Sequence, residues 1–183
     1  NPFDVLKVPI YNAFTYKPQW EVLPKPEGEY ARRYVKAGDI YNGARQLEIL
    51  EKKHPYNLHI LLTLSQMYER EGELKAASER LNLVLERAAD QETRILVLKW
   101  YARIQVKLGR LEKAEQTVSA LFSQFQKQIE ALESASSQED KRYELMKELS
   151  EASNLLGILR YQRDKKVLAF QGFLELEKLF PGN

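Results

Sequence analysis

Large apolar side chains recur along most of this chain at alternating spacings of three and four, the period of a helix with one buried face. Val118, Phe122, Phe125, Ile129 and Leu132 form one such row, and Leu145, Leu149, Ala152, Leu156 and Leu159 form another. Glycine and proline punctuate the pattern where helices must stop. Glu29–Lys36 is followed by Ala37-Gly38-Asp39, and the next helix runs through Lys53 to a stop at His54-Pro55. Leu58–Glu71 ends at Gly72, Glu73–Ala88 follows, and Thr93–Leu108 ends at Gly109 before another helix opens at Leu111. The three glycines stand where a helix closes on a left-handed residue, which costs glycine little. From Glu27 onward the pattern predicts helices and nothing else.

Residues 1–26 break that pattern. Pro2, Pro9, Pro18, Pro24 and Pro26 forbid a continuous helix there, because each removes a donor and clashes with the preceding turn. Phe3, Val5, Leu6, Val8, Ile10, Tyr11, Phe14, Tyr16, Trp20, Val22 and Leu23 make the same segment too apolar for a disordered tail. It is expected to be an extended arm whose Phe14, Tyr16 and Trp20 lie on the helices.

A second periodicity overlies the first. Ala31 and Ser65, Tyr34 and Tyr68, Gly38 and Gly72, Leu47 and Leu81, and Leu50 and Val84 are each 34 residues apart. A fixed period of this length marks stacked helix–turn–helix units. Unit one carries Tyr30, Ala31, Tyr34, Gly38, Gly43, Leu47, Leu50 and Pro55. Unit two carries Leu64, Ser65, Tyr68, Gly72, Ala77, Leu81 and Val84, and unit three Tyr101, Ala102, Gly109, Ala114, Val118 and Leu121, with Gln105 at the aromatic position. Unit four carries Leu156, Gly157, Ala169, Phe173, Leu176 and Pro181, with Arg160 and Asp164 at the aromatic and turn-glycine positions. These residues resemble the tetratricopeptide repeat (TPR). The resemblance covers about 27–183, in units near 24–57, 58–91, 95–128 and 150–183, and implies a right-handed superhelical solenoid.

The spacing departs from that family once in a way that matters. From Ala114 to Ala169 is 55 residues, an excess of 21 over the repeat. The excess carries the two rows of apolar residues named at the outset, with Ser134-Ala135-Ser136-Ser137 between them. Ser137 with Asp140 resembles an N-terminal cap. Two overlong antiparallel helices, near 113–133 and 138–163, are therefore expected between units three and four, with 129–149 as the insertion. A four–three seam held on both is the pattern of a coiled-coil hairpin.

Composition narrows the function. A net charge of +2 in 183 residues argues against general nucleic-acid binding, which needs a stripe of uncompensated cations. No apolar run reaches the ~20 residues that cross a bilayer. Without cysteine there is neither a disulfide nor a thiolate metal site. His54 and His59 lie five apart across a helix start and lack a further ligand, so no metal and no cofactor are expected. Carboxylate pairs such as Glu69 and Glu71, or Glu175 and Glu177, point in different directions on a helix and read as solvated. No phosphate-binding loop appears, since each glycine belongs to a repeat turn. The expectation is a protein without enzymatic activity.

The resemblance implies a concave groove lined by the first helix of each unit. Transferred onto this chain, groove positions fall on Arg32 and Lys36, on His59, Leu62, Thr63, Gln66 and Arg70, on Lys99, Trp100, Arg103 and Lys107, and on Asn154, Ile158 and Tyr161. The cations among them would make the groove basic and suited to an acidic or extended peptide. Trp100 fits a place between units equally well. Family members that hold the carboxylate tail of chaperones use Lys and Asn where this chain has Gly28, Arg32, Thr63, Leu96 and Trp100, which disfavours that function. The implied role is an adaptor or scaffold that holds a protein partner in the groove, on the long hairpin or through the arm. The alternative is an architectural subunit that forms homo-oligomers within a larger assembly. Val167, Phe170 and Leu174 recur on one face of the last helix without evident cover, and are expected to form a terminal interface.

Overall fold

The computed structural model describes residues 10–132, 138–163 and 166–180, and the side chains of all of these except 166–170. The chain is all-α. Its described residues form eight α-helices and one short 3-10 turn at Trp20–Val22, with no strand. The helices are α1 (Glu27–Lys36), α2 (Ile40–Lys53), α3 (Leu58–Glu71), α4 (Leu74–Arg87), α5 (Gln91–Lys107), α6 (Leu111–Leu132), α7 (Glu139–Gln162) and α8 (Lys166–Leu179).

Local chemistry sets these boundaries. Gly38, Gly72 and Gly109 have φ of 82°, 78° and 72°, the left-handed conformation that ends a first helix and turns the chain into its second. Three helices begin under a side-chain cap. Asp39 accepts from the Asn42 N–H at 3.0 Å, Asn57 from the Ile60 N–H at 3.2 Å and Asp90 from the Thr93 N–H at 2.7 Å. Each satisfies a donor that the first turn would leave without a partner. The Asn42 side-chain amide, donating to Asp39 at 2.6 Å, and then the Asn42 N–H hold the Asp39 carboxyl below the usual carboxylate range, and the Thr93 N–H does the same for Asp90.

The chain divides into two compact units, one of residues 11–108 and one whose described residues are Ile10 and those from Gly109 onward. The first, Tyr11–Leu108, contains α1–α5 and groups residues 11–26 with them. Consecutive helices pack on one another around Ala31, Ala44, Leu47, Leu50, Ile60, Leu61, Leu64, Met67, Ala77, Leu81 and Val84, all of them without solvent exposure. The small residues bring helix axes close together. A methyl group on Gly43 of α2 would press into the Val35 side chain of α1.

The second unit contains α6–α8. At 22 and 24 residues, α6 and α7 run for about 33 and 36 Å, as the insertion predicted. They pack along Ala114, Val118, Leu121 and Phe125 from α6 and Leu145, Leu149, Ala152, Leu156 and Leu159 from α7. On α6 the buried row is therefore shifted from the predicted seam: Phe122, Ile129 and Leu132 are only half-buried. The predicted Ser134–Ser137 link, Ser137 cap and Asp164, and Pro181 beyond α8, lie wholly or partly outside the described residues. The Phe173 ring of α8 lies so close to Gly157 of α7 that any Cβ there would overlap it.

One repeat position ties successive units together. Tyr68, Gln105 and Arg160 each stand near the end of a first helix, four residues before the turn position. The Tyr68 hydroxyl donates to Glu48 of α2 at 2.6 Å. The Gln105 amide donates to the Ser78 hydroxyl of α4 at 2.7 Å. Arg160 donates to Glu115 of α6 at 3.4 Å, and Arg163 joins it on the same carboxylate. Ser78 and Glu115 occupy the same repeat position, one residue after Ala77 and Ala114. The side chains differ, but the strut from a first helix back to the preceding second helix is kept.

Candidate partner-binding groove

The first helices of the first unit form a groove, and the chain's own arm lies in it. Trp100 of α5 is the floor, with no solvent exposure. The Tyr16 ring stacks on it at 5.6 Å and 26°, and the Phe14 ring meets it at 5.8 Å and 59°. Such offset and tilted pairs are the favoured geometries of aromatic quadrupoles. Trp20 also packs against the core, so all three predicted arm residues lie on the helices.

Side chains of α3 and α5 hold the arm by its main chain. One Arg103 nitrogen, Nη1, donates to the Tyr11 carbonyl at 3.0 Å and to the Phe14 carbonyl at 2.5 Å. Gln66 Nε2 donates to the Tyr16 carbonyl. These contacts follow from an irregular backbone: Tyr11 has φ of 54°, and the Phe14 N–H closes a turn back onto the Tyr11 carbonyl. The remaining Arg103 donors grip Glu69 of α3 from two sides, Nε to Oε2 at 3.1 Å and Nη2 to Oε1 at 2.7 Å. A fork of this kind fixes the guanidinium plane and compensates the charge where water is largely excluded. Lys107 adds a longer contact to Glu69 at 3.4 Å. Burial raises the phenol pKa of Tyr16 above its ordinary value, with Thr63 working the other way.

Trp100, Arg103 and Leu62 are buried, and the arm occupies the groove at Trp100 and Arg103, so these are not free groove surface. Glu69 is not solvated like its neighbour Glu71. It is half-buried and is the counter-ion that makes the Arg103 position tenable. The groove is accordingly less basic than its list of cations. Arg32 lies 3.9 Å from Glu29, and Lys99 stands over the Tyr11 ring at 5.5 Å. Thr63 is buried and donates to the His59 carbonyl at 2.7 Å, while His59 is half-buried. Lys36 is exposed.

Beside the arm a depression of about 520 Å³ remains, and Gln66, Glu69, Arg70, Arg103 and Lys107 are among the residues at its edge. Arg70 is exposed there and makes no ion pair among the described residues. Asn154, Ile158 and Tyr161 belong to α7 in the second unit, where Asn154 and Tyr161 are exposed and Ile158 is half-buried. Of the predicted terminal interface, Leu174 is exposed, and the side chains of Val167 and Phe170 lie outside the described set. Among the described residues no three metal-ligating side chains converge, and no helix is long and apolar enough to cross a membrane.

No family model matches the chain, and no curated protein matches it. Two crystal structures of MamA are similar to it. One is 18% identical over 83% of this chain and 90% of that chain, with a TM-score of 0.44. The other is 18% identical over 81% and 94%, with a TM-score of 0.43. A likeness at this level carries no inference about function.

Proposed function

We infer that the protein is a non-enzymatic scaffold whose groove in residues 11–108 holds an extended segment of a protein partner. The arm is the observation that supports this reading. Arg103 and Gln66 take hold of carbonyl groups, which every residue carries, while Trp100 offers a flat apolar surface to whichever rings arrive. Main-chain recognition of this kind suits extended peptides of varied sequence. The arm is then an internal occupant that a partner displaces. Arg70 and Lys107 at the rim favour an acidic side chain near the tightest contacts. Exposed charges are screened over ~8 Å at physiological ionic strength, so this part of the affinity is salt-dependent.

A synthetic peptide spanning residues 10–20, labelled for fluorescence anisotropy, tests the reading. It should bind poorly to the unaltered chain and clearly to F14A/Y16A, whose own arm has lost its rings. Adding Q66A should weaken the peptide, and R70E should weaken acidic variants of it more than neutral ones. Equal, weak binding to both proteins would refute the groove as a peptide site.

A further inference from the structure

The groove is not the only unit-to-unit surface with a readable partner. Tyr68, Gln105 and Arg160 each send a hydrogen bond to the second helix of the preceding unit. Tyr34 holds the same repeat position on α1 and makes no side-chain hydrogen bond among the described residues. The surrounding residues follow suit. Tyr30, Arg33 and Gln46 correspond, 34 residues on, to Leu64, Met67 and Arg80. Leu64, Met67 and Tyr68 are 0%, 0% and 3% exposed, whereas Tyr30 and Tyr34 are 46% and 38% exposed. Between Tyr30, Arg33, Tyr34 and Gln46 lies an open depression of about 480 Å³. This is the repeat's receiving face, left half-open among the described residues.

What fills the equivalent face within the chain shows what fits. There α2 lies over α3, with Glu48 accepting from Tyr68 and Glu51 accepting a two-pronged contact from Arg80 at 3.0 Å on each oxygen. The second helices share a register, since Gly43, Ala77, Ala114 and Ala169 are each the fourth residue of α2, α4, α6 and α8. In that register Leu174 and Glu177 of α8 stand where α2 has Glu48 and Glu51. Both are exposed, Leu174 at 43%. One place earlier, Phe173 lays its ring on Gly157 and stays 41% exposed, where its register counterpart Leu47 is fully buried.

We propose that the Tyr30–Tyr34 face of α1 receives α8 of a second copy of this chain, head to tail, as α3 receives α2 within one copy. Leu174 lies against the two tyrosine rings, which exchange water for apolar contact. Glu177 meets Gln46 and the exposed Arg33, in place of the Glu51–Arg80 pair. The contact joins two different surfaces, so it leaves a free face at each end and continues past a dimer. It uses neither the groove nor the arm, and stands whether or not the groove takes a peptide.

Sedimentation velocity on the unaltered chain should show a mass that rises with concentration beyond two copies. Y30E/Y34E and L174E/E177R should each be monomeric, with unchanged helicity by circular dichroism. Their equimolar mixture should form a dimer and stop there, because each supplies the face the other lacks. Since the chain has no cysteine, a second measurement is direct. Y34C and L174C copies, mixed and oxidised, should give a cross-linked pair well in excess of either copy alone. A strictly monomeric unaltered chain, a plateau at two copies, association that survives in either variant, or a mixture without excess cross-link would each overturn the proposal.

Discussion

The two units solve the same packing problem with different materials. In residues 11–108 the helices are shorter, and aromatic rings of the arm pack on one contributed by α5. Trp100, Phe14 and Tyr16 form that cluster, and the one deeply buried cation, Arg103, is neutralised by Glu69. From Gly109 onward the helices lengthen instead, and α6 and α7 bury one another along aliphatic rows and Phe125. The strut position changes in step, from a tyrosine or glutamine to Arg160 with Arg163 on Glu115. The first unit thus takes cover from residues 11–26 as well as from its own helices.

The contrast can be broken most severely at Trp100. Trp100→Ala removes the floor under two rings, and large-to-small changes at such sites cost about 3–5 kcal/mol. Urea unfolding should show that loss, and limited proteolysis should find new cleavage between residues 11 and 20. Arg103→Ala should cost about 3 kcal/mol, because it leaves Glu69 half-buried and three arm carbonyl contacts reduced to one. Its signature is that added salt restores little, which the same unfolding experiment at two ionic strengths would read.

The corresponding lesion in the second unit is Glu115→Gln, which takes the shared anion from Arg160 and Arg163 and leaves Arg163 only the longer contact to Glu112 at 3.8 Å. It should cost about 2 kcal/mol, the scale of a hydrogen bond to a charged group. Amide exchange should rise in α6–α8 and stay unchanged in α3–α5. Tyr68→Phe is the mildest test, at about 1 kcal/mol near neutral pH. Burial, aided by the hydrogen bond to Glu48, raises the Tyr68 pKa well above its ordinary 10.0. The folded state therefore holds that proton more tightly than the unfolded one. Its contribution is complete below pH 10 and is lost as pH rises beyond that. Unaltered protein should lose more stability than Y68F between neutral and strongly alkaline pH, and equal losses would show that Tyr68 is not the group responsible.

What could be read from the sequence was whatever is local. The three turn glycines, the helix layout and the long hairpin follow from spacing along one helix, and the structure has them. The arm's attachment was also legible, because so many rings in an extended segment need cover. The groove was misjudged where its occupant touches it through carbonyl oxygens, which no residue letter reports. Nothing in the letters of Tyr11 or Phe14 announces that Arg103 will be spent on them. Glu69 was misjudged for a related reason. Spacing along α3 says which way its carboxylate points, and nothing about the arginine that crosses from α5. Arg160 marks the same limit from the other side: a mismatch to the repeat by residue type is a match by contact, visible only once Glu115 is beside it.

The distance in sequence across the arm's contacts has a consequence for how the chain folds. Helix pairs in this protein close between neighbours, but the Arg103 bond to Tyr11 spans 92 residues and the Gln66 bond to Tyr16 spans 50. Long closures are entropically costly and form late, after local structure has made their far side. The helices of residues 27–108 should therefore assemble first, with arm docking as a separate, slower phase in stopped-flow tryptophan fluorescence. By the same reasoning the arm is the part whose opening costs least, and its amides should exchange well before those of α3. During synthesis the segment that emerges ahead of these helices is the last to settle. Its rings stay in water until Trp100 and Arg103 have been made.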